Sequence, residues 1–215
     1  MITEAVVALT DYGLAIECAC CSYLMCDRKD RRPIHLWFGL FFGSLGLAAL
    51  AGGTVHGFFP DEEALWHGVL WRTTLLSLGI TALAAWAAGA EIYFSQTIAR
   101  YITQAAIAGF IVYSVIVLLT NRSFVVAIAN YGPAVFFLFV IFIFAYTRIK
   151  ERKILLGVLG LALTFVAAGV QLGNLALHPV YFNHNAPYHL VQAVALLLIF
   201  WGAKPVVAHQ TIQAR

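Results

Sequence analysis

The sequence predicts an all-α polytopic membrane protein of seven transmembrane helices, with its N-terminus outside and its C-terminus cytoplasmic. Three observations carry this expectation. Hydrophobic residues make up 62% of the chain and charged residues 11%, whereas soluble domains carry roughly 25% charged residues. Seven apolar runs recur along the 215 residues, each long enough to cross about 30 Å of hydrocarbon at about 1.5 Å per residue. Lys and Arg gather in alternate loops, which sets the orientation. Spans and short loops use nearly everything, so 1–215 is expected to be a single seven-helix domain.

The first run, Ala5–Cys26, has Glu4 before it and Asp11 within it, and no basic residue precedes it. A signal peptide opens on a positive region, so this run reads as a retained first helix. The following loop holds Arg28, Lys29, Arg31 and Arg32. The second run, Leu36–Phe58, ends on a histidine, His56, and leads into the acidic loop Asp61, Glu62, Glu63. The third, Leu65–Ala88, opens on another, His67. Arg100 precedes the fourth run, Tyr101–Leu119; the fifth is Phe124–Tyr146. Arg148, Lys150, Arg152 and Lys153 then lead into the sixth, Ile154–Leu177. Pro187 opens the seventh, Pro187–Lys204, where its missing N–H costs nothing. The basic loops define the cytoplasmic side. The net charge of +3 is too small to point to nucleic acid.

This topology brings five of the seven histidines to the outer end: His56, His67, His178, His184 and His189. His35 and His209 fall on the inner side. Imidazole is the commonest metal ligand, and three histidines with an open position form the standard catalytic zinc shell. The candidate ligands are His56, His67, His184 and His189, with zinc as the expected occupant. Asp11 and His67 are the candidate proton-handling groups, because Asp11 lies at histidine depth along the first helix. Arg72 is expected to pair with Asp11 or an acidic headgroup. Gln171, Asn174 and Gln192 are expected to orient imidazoles or to join helices. Haem on two facing histidines is an alternative, and the absence of CxxCH excludes the covalent c-type form.

Other features read as packing. Cys18, Cys20, Cys21 and Cys26 lie on the inner half of the first helix, far from the histidines, and adjacent cysteines point about 100° apart. The glycines of the second and sixth runs allow close helix approach, which predicts that these two helices are internal. No lysine stands in midspan, which excludes a retinal Schiff base.

A histidine ending helix two, histidines around the start of helix seven and the segment Tyr188–Phe200 (YHLVQAVALLLIF) resemble the CREST superfamily of membrane hydrolases, which includes alkaline ceramidases and progestin and adiponectin receptors. The resemblance implies a seven-helix bundle with one zinc on three histidines, and hydrolysis of lipid amides. It would make His56 the helix-two ligand and His189 a helix-seven ligand. The pattern differs at three positions. Gly52 replaces the family's serine, His67 its aspartate, and Asn185 the first histidine of its HxxxH pair.

Together these readings lead to a metal-dependent integral membrane hydrolase acting on lipid-like amides or esters at the outer face. Its place would be a bacterial inner membrane or its equivalent, and membrane lipid its partner. The alternative is a non-enzymatic subunit of a larger membrane complex, or a receptor, using the histidines for a structural metal, haem or partner docking.

Overall fold

In the computed structural model, which describes residues 3–26, 32–120, 123–173 and 185–213, the chain is all-helical. Its order is α1 (Ala5–Cys26), α2 (Pro33–Phe58), α3 (Leu65–Tyr93), α4 (Gln96–Leu119), α5 (Phe124–Ile149), α6 (Ile154–Leu172) and α7 (Asn185–Gln213). All seven are long and apolar enough to cross a membrane. Backbone polar groups find no partner in hydrocarbon, so a chain of this composition satisfies them within helices.

Local chemistry sets the ends. Pro33 opens α2, Ser123 caps α5 by accepting from the Val125 N–H at 3.3 Å, and Lys150 closes α5 in the left-handed conformation. Several helices extend past the predicted spans. α7 begins at Asn185, so Pro187 is its third residue rather than its first. It still lies among the N–H groups that have no intrahelical partner, which is why the ring is tolerated there. Pro133 lies inside α5 and removes one hydrogen bond from it.

Sequential helices pack together except α4 and α5; α5 packs on α3 instead, and α7 returns to close against α1 and α6. Close backbone approach joins α6 to α7, where a side chain on Gly202 would collide with the Gly157 backbone, while one on Gly157 would strike the Phe142 ring of α5. α2 and α3 are the most enclosed helices. The expectation of an internal α6 is corrected: α6 is no more enclosed than α1 and α5, because its glycines serve close packing on one side, against α7 and, at Gly157, against Phe142 of α5. The core between α2, α5 and α7 is aromatic. Phe38 meets Phe142 edge-on at 6.3 Å, and Phe42 meets Phe200 at 6.0 Å. A buried Ser44–Thr81 hydrogen bond of 2.7 Å ties α2 to α3. α4 stands at the rim, held to α3 by the Tyr113 hydroxyl donating to the Leu75 carbonyl at 2.8 Å.

Cys18 and Cys21 are buried in the core cluster, which fits their reading as packing residues, whereas Cys20 and Cys26 are exposed.

Candidate functional site

The α1–α7 closure builds the site. Thr10 and Asp11 are consecutive on α1, about a turn and a half from its start, and His189 lies early in α7. The His189 ring stands between the two α1 residues: Nε2 is 3.2 Å from Asp11 Oδ1, and Nδ1 is 3.1 Å from Thr10 Oγ1. Thr10 Oγ1 donates to the Val7 carbonyl at 2.9 Å or the Val6 carbonyl at 3.1 Å, so it receives the Nδ1 proton. A hydrogen bond across the 3.2 Å between Nε2 and Asp11 Oδ1 then needs one proton, which either group can carry. Asp11 and His189 are both buried, and a buried polar pair of this kind is stabilised by mutual satisfaction.

Glycine makes room for Asp11. A Cβ on Gly53 would fall 2.7 Å from the Asp11 Cβ, so α1 and α2 touch at this level only because it is absent. At Gly52 a Cβ would lie 3.8 Å from Asp11 Oδ2 and 3.7 Å from Thr74 Oγ1. The missing side chain therefore leaves a small recess beside the carboxylate.

Three adjoining cavities meet here. A polar pocket of about 260 Å³ is lined by Asp11, Gly52, His56, Thr74, His189 and Gln192. Beyond it, sharing Leu45, Leu78 and Gln192, an apolar chamber of about 350 Å³ runs between the histidine-end halves of α5 and α6. Toward the bundle end, sharing His56, Trp71 and Phe124, a vestibule of about 640 Å³ contains Glu4, Glu62 and His67. Tyr131 Oη, Gln171 Oε1 and Gln192 Oε1 are buried without a hydrogen-bond partner, and all three residues line the apolar chamber. An unsatisfied buried polar group costs about 1–3 kcal/mol, so these three groups leave hydrogen-bonding capacity facing the chamber for water or a ligand.

His56 lines both polar spaces. Its Nδ1 is 2.6 Å from Glu4 Oε2, and its ring rests edge-on against Trp71 at 6.4 Å. His67 lies in the vestibule, with Nδ1 donating to the Phe59 carbonyl at 2.7 Å and its ring 6.5 Å from Trp71. The structure thus brings Asp11, His56 and His189 to one pocket and keeps His67 outside it. His178, His184 and Asn174 lie outside the described residues.

The four-histidine zinc shell does not assemble from what is described. Among the described residues no group of three or more His, Cys, Asp or Glu side chains could hold a metal ion. The reason is geometric: both ring nitrogens of His189 are already engaged. Arg72 does not pair with Asp11 either; it donates to the Gly68 carbonyl of its own helix at 3.2 Å. Gln171 joins α6 to α7 by donating to Asn185 Oδ1 at 2.8 Å. Gln192 donates to Thr164 Oγ1 at 3.5 Å and bonds no imidazole among the described residues.

Sequence reasoning missed Thr10, Glu4, Tyr131 and Tyr188, the last of which lines both the polar pocket and the apolar chamber. Thr10 and Tyr188 each adjoin a residue it had singled out; for Tyr131, inside an apolar run, no signal stood out.

A family model described as a family of unknown function (DUF6962) matches residues 6–207. No curated protein and no solved structure matches the chain.

Proposed function

The chain belongs to this family of unknown function (DUF6962), and we propose that it is an integral membrane hydrolase of lipid-like amides or esters. The observation that carries this reading is the Asp11–His189 pair at the junction of a polar pocket and an apolar chamber. An acyl chain fits the chamber, and its carbonyl then lies at the pair. The unpartnered Gln171 and Gln192 oxygens can only accept hydrogen bonds. They favour a substrate that brings N–H or O–H donors, an amide over a simple ester.

The chemistry is general acid–base catalysis. Water in the recess beside Gly52 gives a proton to the Asp11 carboxylate as its oxygen attacks the carbonyl carbon. The carbon–nitrogen bond breaks while His189 Nε2–H protonates the leaving nitrogen. The proton on Asp11 then crosses to Nε2 and restores the pair. Positive-inside reasoning puts the site at the outer leaflet. Purified protein offered a panel of N-acyl and O-acyl lipids in mixed micelles tests the reading. Release of free fatty acid is the expected result; no turnover on any of them would remove it.

One observation favours a second reading. His56 and His67 each have Nδ1 fixed by an acceptor, which is how ligand imidazoles are oriented in metal sites. With a third ligand, for which the sequence offers His184, they would hold one zinc in a non-enzymatic membrane subunit or receptor. Elemental analysis separates the two. About one zinc per chain, lost in both His56→Ala and His184→Ala, without lipid turnover, selects the second reading; a Soret band would replace zinc by haem.

A further inference from the structure

The end of the bundle opposite the histidines contains a cavity of about 710 Å³. It lies between the first turn of α2, the last turn of α3 and the first turns of α4, because α4 packs on α3 and leaves a gap to α2. Arg32, Arg100 and Glu91 line it, with Gln96 and Thr103 between them. Glu91 and Arg100 face the same space, yet neither has a hydrogen-bond or ion-pair partner among the described residues. An acid and a guanidinium in one cavity that do not pair with each other leave room for a group carrying both charges.

The surroundings fit a lipid. Ile34, Trp37, Phe94 and Ile107 supply apolar walls, and tryptophan is enriched at the headgroup level of membranes. The cavity sits where three membrane helices start or stop, which is the depth of lipid phosphates. The first turns of α2 and α4 both border it, and neither helix has a side-chain N-cap bond. Their first-turn N–H groups add positive potential to that of the arginines. Arginines needed only for orientation would not require a carboxylate among them.

We infer that this cavity binds a phosphatidylethanolamine-type headgroup from the leaflet at this end. The phosphate lies against Arg100 and Arg32, the ammonium at Glu91, and the acyl chains run down the gap between α2 and α4. The inference is independent of the hydrolase reading.

Native mass spectrometry of the full chain in micelles, titrated with phosphatidylethanolamine or phosphatidylcholine, tests it. Wild-type protein retains the ethanolamine lipid about tenfold better, the worth of one charge-assisted hydrogen bond that a quaternary amine cannot make. Glu91→Gln brings the two lipids together, and Arg100→Gln weakens both. Added inorganic phosphate leaves the lipid in place. Equal retention of both lipids by wild type overturns the inference without any variant, so a misfolded mutant cannot shelter it. Unchanged binding in folded Arg100→Gln, or displacement by phosphate alone, also overturns it, the latter in favour of a free-phosphate site.

Discussion

His189 is held between two consecutive residues of α1, its Nε2 3.2 Å from Asp11 Oδ1 and its Nδ1 3.1 Å from Thr10 Oγ1. The first and last helices are thereby joined at the level of the polar pocket, and the proton count of the proposed chemistry follows from that geometry. With Nδ1–H committed to Thr10, one proton remains for Nε2 and the carboxylate, which is what an acid–base pair that resets after each turnover requires.

Removing either member leaves the other buried and unpaired. His189→Gln and Asp11→Asn are expected to lower turnover by about 10²–10⁴-fold, the usual worth of a positioned acid or base. Thr10→Val should cost less, about tenfold, because it frees the ring to reorient without removing a proton carrier. Fatty-acid release measured on variants with matched melting temperatures checks the order. Thr10→Val as damaging as Asp11→Asn would contradict the assignment of roles.

The two glycines of α2 should respond in opposite ways. Gly52→Ala adds a methyl at ordinary contact distance and is expected to leave the fold intact while narrowing the recess for water. Gly53→Ala drives a methyl to 2.7 Å from the Asp11 Cβ, so α1 must shift. Overpacking of this sort costs about 1–3 kcal/mol. Thermal unfolding in detergent distinguishes them: a lower melting temperature for Gly53→Ala alone is the expected result.

Filling the apolar chamber tests what occupies it. Ala168→Phe projects a ring into the space between α5 and α6 and is expected to reduce turnover of long acyl chains at least tenfold while sparing short ones. A uniform loss across chain lengths would mean that the chamber does not hold the chain. The comparison uses kcat/KM, because removed chain binding appears there first.

The helices were legible because lipid imposes one periodicity-independent rule, a long apolar run. The α1 span, Ala5–Cys26, agrees at both ends. The misjudged ends are those where helices continue through polar residues: α3 runs on through Glu91, and α7 begins at Asn185 before Pro187. Asp11 could be placed at histidine depth from helix rise alone. Its partner could not, because pairing with His189 depends on α7 closing against α1, a lateral adjacency that hydropathy does not encode. The same blindness produced the expected Asp11–Arg72 pair, whereas Arg72 turns back to Gly68. The four-histidine shell rested on sequence depth without lateral position: His56 and His67 line one vestibule, whereas His189 is turned to Asp11 and Thr10.

The proposed orientation rests on the distribution of Lys and Arg. A reporter inserted between Pro60 and Ala64 is expected outside, and one inserted between Lys150 and Lys153 inside. The reverse pattern would move the polar pocket to the cytoplasmic leaflet and with it the proposed source of substrate.

The most direct measurement compares fatty-acid release from N-acyl lipids by purified wild-type protein and by Asp11→Asn, with metal content recorded for both. The expected result is turnover in the wild type, lost by at least about a hundredfold in the variant, with metal content unchanged between them. Wild-type protein that is folded and releases no fatty acid, or Asp11→Asn that works as well as wild type, would contradict the account.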